Sequence, residues 1–337
     1  MVFIPAYITI SSKEIAMKKQ LLILVCFCLA SSLLFAGGGA QGKKFPSKQI
    51  NVLVGASPGG TSDITARTLG KLVEKDLGVP VVVNNKPGGS SAAATEYMCA
   101  QPADGYTLMY VPVENAMIKP LGLSKIEPKD LTYIARAMTL PATVTVKIDA
   151  PWKDVKEFIE YAKAHPGELK AGNSGPGSIW HFAAVGIEMA TGVKFNHVPF
   201  DGGAAAATAV MGGHVDLCPV GPGEVKPGVD GGKLKVLAIA GDDRNSLYPG
   251  VPSMKELGYD VKVFAWGCIG GPAGLPADVL KILETSYAKA IQSQEWKDMC
   301  AQNGWAPAYL NAADAQKFAE DQAAWYQKVI PTLNLVK

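Results

Sequence analysis

The sequence lacks an excess of charge of either sign. Its 32 basic and 30 acidic residues leave a formal net charge of +2. Residues 1–40 hold three lysines and one glutamate, so the rest of the chain carries 29 charges of each sign. Proteins that bind nucleic acid or anionic lipid rely on a basic excess. The balance therefore predicts no nucleic-acid partner and no attachment to an anionic membrane surface.

Cysteine is also scarce, with six residues in the whole chain. Two of them, Cys26 and Cys28, lie in an apolar segment near the N-terminus. The others are Cys99, Cys218, Cys268 and Cys300. Their spacings match no zinc motif, and both disulfide pairing and burial as free thiols remain open at this point.

Histidine is scarcer still, with four residues. His181, His197 and His214 fall in three different predicted elements, and no two of them are spaced as a ligand pair on one helix. Metal sites use such spacings or clusters of Cys and His. The sequence therefore predicts no metal and no cofactor.

The N-terminal apolar run is too short to predict a membrane-spanning helix. Leu21–Ala36 follows two lysines and precedes small residues that include Ala40. A spanning helix needs about 20 apolar residues. The layout predicts a secretory signal peptide in residues 1–40, cleaved near Ala40, with Met17 as an alternative start.

The stretch VLVGASPGGTSD, residues 52–63, lacks the lysine of a nucleotide-binding loop. Gly55 and Gly60 have the spacing of a Walker A loop, but Thr61 stands where lysine is required. What remains is a strand that ends in a glycine-rich turn and leads into a helix, whose N–H groups and positive dipole end favour an anion. The predicted binding residues are Ser57, Gly59, Gly60, Thr61, Ser62 and Asp63. Asp63 has a second interpretation as an ordinary helix cap.

A second glycine-rich turn, AGNSGPGSIWH at residues 171–181, has the same strand-to-helix arrangement. It lacks the pattern of a hydrolase nucleophile elbow, because Pro176 stands where glycine is required. Its hydroxyl and N–H donors predict a second anion-binding loop. The predicted residues are Ser174, Gly175, Gly177, Ser178 and His181, of which Ser178 also fits a helix cap.

Strand and helix patterns alternate along most of the chain, which predicts an α/β fold with parallel sheets. Residues 276–329 are predicted to be helical with few breaks. Composition changes near residues 139–151 and 219–228 predict a chain that leaves one lobe, builds a second and returns, with a hinge between them. The predicted bounds are 41–145 for the first part of lobe 1, 146–222 for lobe 2 with an extension to about 265, and 223–337 for the return to lobe 1 and the C-terminal helices.

Four stretches together carry a family resemblance: FPSKQINVLVGASPGGTSDITAR, PVVVNNKPGGSSAAATEYMCAQPADGYTLMY, GNSGPGSIWHFAAVGIEMATG and VPFDGGAAAATAVMGGHVDL. They resemble successive signatures of the Bug-type solute-binding proteins, the extracytoplasmic receptors of the tripartite tricarboxylate transporter family. The resemblance runs from about Phe45 to the C-terminal helices.

The resemblance implies a two-lobed Venus-flytrap fold of the periplasmic binding protein type, with the ligand in the cleft between the lobes. It implies a monomer outside the cytoplasm that captures a small carboxylate, either an organic acid or an amino acid. The partner implied is a membrane permease of two other subunits. The two loops that pin a ligand carboxylate in this family match Ser57–Asp63 and Ser174–His181.

The chain departs from the family pattern at two places. Phe200-Asp201-Gly202 stands where the family often has Tyr-Lys-Gly or Tyr-Arg-Gly, and Glu114 and Asn115 follow a strand that small hydroxyl residues often follow. Glu114 and Asp201 are therefore predicted ligand contacts. They favour a ligand with a cationic or neutral polar group opposite its carboxylate, rather than a tricarboxylate.

Two other functions fit the sequence. A secreted enzyme acting on organic acids would use Ser174 or Ser178 with His181, although the motif holds no acid to orient the imidazole. A sensory receptor would share the fold. Trp180 and Trp266 fit either the hydrophobic core or the wall of a pocket.

Overall fold

The protein is described from a computed structural model that covers residues 44–200, 202–261 and 263–333. The signal-peptide prediction and Asp201 lie outside the described residues. The strands are β1 (Ile50–Val54), β2 (Val81–Asn85), β3 (Thr107–Pro112), β4 (Leu131–Leu140), β5 (Ala142–Lys147), β6 (Lys170–Asn173), β7 (Asn196–Pro199), β8 (Leu217–Cys218), β9 (Leu234–Ala240), β10 (Ala265–Pro272) and β11 (Ala306–Leu310).

The helices complete an α/β fold. They are α1 (Thr61–Leu77), α2 (Ala92–Cys99), α3 (Val155–Ala164), α4 (Ile179–Thr191), α5 (Gly203–Met211), α6 (Pro222–Asp230), α7 (Ala277–Gln292), α8 (Gln294–Asn303) and α9 (Ala312–Val329). Short 3₁₀ helices lie at Val113–Ala116, Pro128–Asp130 and Ile330–Leu333. None of the helices in the described residues is both long and apolar enough to cross a bilayer.

The strands form two sheets. The first has the order β11-β4-β10-β3-β1-β2, and the second has the order β7-β6-β8-β5-β9. β1 is parallel to β2 and β3, whereas β10 is antiparallel to β3 and β4. In the second sheet β6 is parallel to β7 and β8, whereas β5 is antiparallel to β8 and β9. The prediction of parallel sheets is wrong, because both sheets are mixed. These antiparallel pairs involve β10 in the first sheet and β5 in the second, which are strands next to the crossings between the sheets.

The chain passes between the sheets twice. β4 continues into β5 across Pro141, and β9 leads to β10 through residues 241–264. β4 pairs with β10 and β5 pairs with β9, so the two crossings run side by side between the sheets, where the sequence predicts a hinge. The first crossing lies at the predicted composition break. The second lies downstream of residues 219–228, most of which form α6.

The second sheet contains the strands between Ala142 and Ala240, β9 among them, which lies within the predicted extension of lobe 2 to about residue 265. The lobe bounds given above remain predictions. β11 was not predicted, because it interrupts the helical region after residue 276. Of the described cysteines, all four are free thiols, and all but Cys99 are buried.

Helix α4 is buried on nearly every side. Helices that are apolar all round lie inside a protein rather than on its surface. The Phe182 ring on α4 meets the Tyr326 ring on α9 edge to face, with centroids 5.2 Å apart. A Cβ on Gly186 would lie 2.7 Å from Val263, in the segment that leads to β10. α4 therefore packs against elements of the first sheet as well as its own, and the lobes are in contact.

Candidate functional site

A cavity of about 410 Å³ lies where elements of the two sheets meet. Its volume is in the range that small-molecule sites occupy. The first sheet contributes the start of α1, the segment after β3, and parts of β4 and β10. The second contributes the starts of α4 and α6. Asn303 at the end of α8 and Trp305 in the loop before β11 close one side. Ligands in open α/β sheets bind in such crevices at strand and helix ends.

The N-terminus of α1 forms one wall of the cavity. Gly59, Gly60, Thr61 and Ser62 line it. Gly60 is the N-cap in extended conformation, and no side chain caps the helix. The first N–H groups of a helix have no partner within it, and they carry the positive end of its dipole. This wall therefore offers backbone donors to an anion.

Asp63 holds this loop in place. Its carboxylate accepts hydrogen bonds from the Gly59 N–H at 2.9 Å, from Arg67 Nε at 3.0 Å and from Asn85 Nδ2 at 2.9 Å. Burial alone would raise the pKa of Asp63, but these hydrogen bonds outweigh it and hold the pKa below its usual value. Asn85 also donates to the Ala56 carbonyl at 2.9 Å. Asp63 supports the glycine turn and does not line the cavity.

Glu114 lies on the same wall, in the 3₁₀ helix that follows β3. Burial raises the pKa of its carboxyl above the usual value. No lysine, arginine or histidine forms an ion pair with it in the part of the chain that the structure describes. The charged form of Glu114 therefore has no compensating cation in the described part of the chain.

Glu224 lies on the opposite wall, in the first turn of α6. Its carboxylate accepts the Gly221 N–H at 2.8 Å and a hydrogen bond from Trp180. A Cβ on Gly203, the first residue of α5, would collide with this carboxylate. Burial raises the pKa of Glu224 to about 7, even though both hydrogen bonds lower it. Glu224 thus places its own carboxylate at the N-termini of α5 and α6.

The second glycine-rich loop uses its polar groups internally. Ser178 Oγ donates to the Gly175 carbonyl at 2.7 Å and caps α4 by accepting the His181 N–H at 3.2 Å. Ser174 Oγ donates to Ser178 Oγ at 2.7 Å. The Gly177 N–H donates to His181 Nδ1 at 3.2 Å. The residues that line the cavity here are Ile179 and Trp180, directly after the loop.

Comparisons with known proteins agree with this geometry. The sequence profile of the tripartite tricarboxylate transporter family receptors, TctC, matches residues 65–335. The chain belongs to this family. The receptor is 32% identical over 300 residues to a UPF0065 protein of Cupriavidus necator, a match that covers 88% of this chain and 91% of the relative. Members of the family are periplasmic solute-binding receptors.

Two solved structures show the same fold. A TctC solute-binding protein from Polaromonas, solved without ligand, is 33% identical, with a TM-score of 0.76 over 86% of this chain and 99% of that one. The R. palustris protein Rpa4515 with adipate is 26% identical, with a TM-score of 0.73 over 86% of this chain and 98% of that one. The two-lobed Venus-flytrap fold predicted for the receptor is confirmed.

The structure brings some of the predicted site residues together and separates others. Gly59, Gly60, Thr61, Ser62 and Glu114 line the cavity. The predicted residues that do not line it are Ser57, Asp63, Ser174, Gly175, Gly177, Ser178 and His181. Direct ligand contact by either group remains a prediction. In the described residues, no cluster of three His, Cys, Asp or Glu side chains could hold a metal ion.

The sequence interpretation missed several residues of the cavity wall. Glu224, Asn303, Trp305 and Tyr110 line it in the structure of the receptor. Trp180 and Trp266 fit both interpretations at once, because each is buried and each also lines the cavity. Glu224 lies in the stretch 219–228, where a change of composition predicts a break between lobes, so it gave no separate signal of a site.

His181 supports the second loop as a neutral imidazole. Burial and the nearby His197 lower the pKa of His181 to about 4, although Glu188 opposes the shift. The His181 and His197 rings meet edge to face with centroids 4.8 Å apart. Since Nδ1 accepts the Gly177 N–H, protonation at this nitrogen would break the contact that shapes the turn.

We expect the receptor to lose stability in mild acid through His181. Its pKa is lower in the folded state than in the unfolded state, so its contribution is complete above about pH 6.5 and is lost as pH falls toward 4. Between pH 7.5 and pH 5 the loss should be about 2 kcal/mol. Urea unfolding at both pH values, on the wild type and on His181→Asn, measures it. Asn Oδ1 can accept the Gly177 N–H without titrating, so equal losses in both proteins would contradict the assignment.

Proposed function

We propose that this receptor captures a small carboxylate in the cavity between its lobes and delivers it, unchanged, to a two-subunit membrane permease. Export by the N-terminal signal peptide would place it outside the cytoplasm, where it acts as a monomer. The observation that carries the proposal is the wall formed by the start of α1, where uncapped N–H groups lie at a cavity of ligand size. The adipate held by the R. palustris relative is a carboxylate of the proposed size.

An enzymatic alternative has little support at the second loop. No hydrogen bond joins the His181 ring to Ser174 or Ser178 in the described part of the chain, and Ser178 Oγ donates to a backbone carbonyl instead. A serine nucleophile needs its hydroxyl within hydrogen-bond reach of a general base. His181 Nδ1 is also occupied by the Gly177 N–H. The loop is arranged to stabilise a helix start.

Binding of an organic acid should raise the melting temperature of the purified receptor. A ligand at one hundred times its dissociation constant adds about 2.7 kcal/mol to the free energy of unfolding. A thermal-shift screen of organic acids and amino acids identifies the ligand, calorimetry measures its affinity, and mass analysis of the recovered compound shows whether it was altered. No stabilising carboxylate, or a chemically changed one, would overturn the proposal.

A further inference from the structure

The cavity wall holds two acids and, among the described lining residues, no basic side chain. The ionisable acids among the described lining residues are Glu114 on one wall and Glu224 on the other, and no Lys, Arg or His is present there. A carboxylate in a cavity without a counter-ion is costly to ionise. The positive features of the cavity are backbone donors at the start of α1. The two ends of a bound ligand therefore meet opposite electrostatic environments.

Glu224 already occupies the position where the second lobe could hold an anion. Its carboxylate accepts the Gly221 N–H and lies against Gly203, so it covers the starts of α6 and α5. Helix starts are the usual place for a bound carboxylate. A second ligand carboxylate at this wall would approach a group of its own charge. Like charges brought together without a cation strongly disfavour binding.

Aromatic side chains form much of the remaining wall. Trp180, Trp266, Trp305 and Tyr110 line the cavity. Trp266 is 1% exposed, and its indole N–H has no acceptor among the described residues. Indole rings provide apolar surface for a short carbon chain, and they tolerate a nearby cation. A ligand can supply the acceptor that the protein does not provide for Trp266.

We propose that the ligand of this receptor carries a carboxylate at one end and a positively charged nitrogen at the other, and that Glu114 and Glu224 select the nitrogen. The carboxylate lies at the N-terminus of α1. The inference rests on the proposed function and narrows it from carboxylates in general to zwitterionic aminocarboxylates. Burial raises the pKa of both acids, and a bound ammonium would lower it again by stabilising their charged forms.

The same two acids allow one opposite arrangement. If they stay protonated when the ligand binds, their hydroxyls donate to a second ligand carboxylate, and the cavity selects a dicarboxylate. A Glu→Gln substitution distinguishes the ammonium-binding arrangement from the dicarboxylate-binding one, because the glutamine amide donates a hydrogen bond but has no negative charge. A dicarboxylate site would retain its affinity after Glu→Gln substitution. An ammonium site would lose it.

The test uses probes that differ only at one end. Adipate, 5-aminopentanoate and hexanoate share a carboxylate on a chain of methylenes and end in a carboxylate, an ammonium and a methyl group. Glutarate, 4-aminobutyrate and pentanoate form the shorter set. In calorimetry, the wild-type receptor should bind one of the two aminocarboxylates more tightly, by about tenfold or more, than the dicarboxylate and the methyl-ended acid of the same chain length.

Variants then assign the preference to the two acids. Glu114→Gln and Glu224→Gln should each remove it, whereas Glu160→Gln, at an exposed position on α3, should leave it unchanged. If the dicarboxylate binds best in the wild type and both Gln variants keep it, the proposed function stands and this inference is wrong. If none of the six probes binds the wild type, this inference is wrong, and the wider thermal-shift screen decides the proposed function. The probe series needs only the wild type, so it decides between an aminocarboxylate and a dicarboxylate ligand even if a variant fails to fold.

Discussion

Replacing Gly60 with Val is expected to abolish ligand binding while the receptor still folds. Gly60 has φ −80° and ψ 171°, an extended conformation that valine adopts readily. A Cβ there would meet only the Ser57 carbonyl oxygen, at 3.7 Å. The added methyl groups would therefore enter the open space at the start of α1, where we place the ligand carboxylate. We expect affinity to fall at least 100-fold, or by about 2.8 kcal/mol, in calorimetry with the best ligand from the screen.

Gly250→Val is the matched control for this substitution. Gly250 is not a cavity residue, and nothing lies within 4 Å of a Cβ built on it. Both variants gain the same branched side chain, and both lower the conformational entropy of the unfolded chain in the same way. Equal, wild-type affinity in both folded variants would show that the carboxylate binds elsewhere.

The first half of this site could be predicted because it is local in sequence. The apolar run of β1, the glycine turn and the apolar stripe of α1 are consecutive, so the anion-receptive wall follows from a stretch of about a dozen residues. Glu114 was identified instead as a departure from the family pattern, in the segment that follows β3. Local patterns also predicted the alternation of strands and helices along most of the chain.

The other half depends on contacts between distant segments. Glu224 and Trp305 reach the cavity only because the crossing strands bring the starts of α6 and β11 toward α1. The spacing of residues in the sequence does not predict such contacts between distant segments. The second glycine loop resembles the first in sequence, yet its hydrogen-bonding groups are satisfied within the loop, which local pattern cannot show.

Of the two crossings between the sheets, the first lies where the sequence predicted it and the second does not. A proline at residue 141 between two β-rich runs marks the first crossing, whereas the proline- and glycine-rich stretch at residues 219–228 suggested a linker and proved to be mostly helix. Proline is compatible with the first turn of a helix, and α6 begins with Pro222. The strand β11 was missed for a related reason, because it is short, contains a proline and lies between helices at a sheet edge.

Gly177→Ala is expected to weaken ligand binding by hindering contact between the lobes. Gly177 precedes α4 of the second lobe, and a Cβ on it would lie 3.0 Å from Leu121 Cδ2, in the segment that follows β3 of the first lobe. Its φ of +74° adds strain for alanine, about 1–2 kcal/mol. A closed state made less favourable by about 1.4 kcal/mol would lower the apparent affinity about tenfold.

Gly192 separates the two effects. It caps the other end of α4 with φ +79°, and nothing lies within 4 Å of a Cβ built on it. Gly192→Ala should therefore cost similar stability in the absence of ligand, measured by urea unfolding, but leave affinity unchanged. Adding Leu121→Ala to Gly177→Ala removes the side chain that the new Cβ meets, so the double variant should recover most of its affinity. A double-mutant cycle over Gly177 and Leu121 gives their coupling in ligand binding. Because both glycines have a similar positive φ, equal affinities of Gly177→Ala and Gly192→Ala would mean that the contact with Leu121 plays no part in closure of the lobes around the ligand.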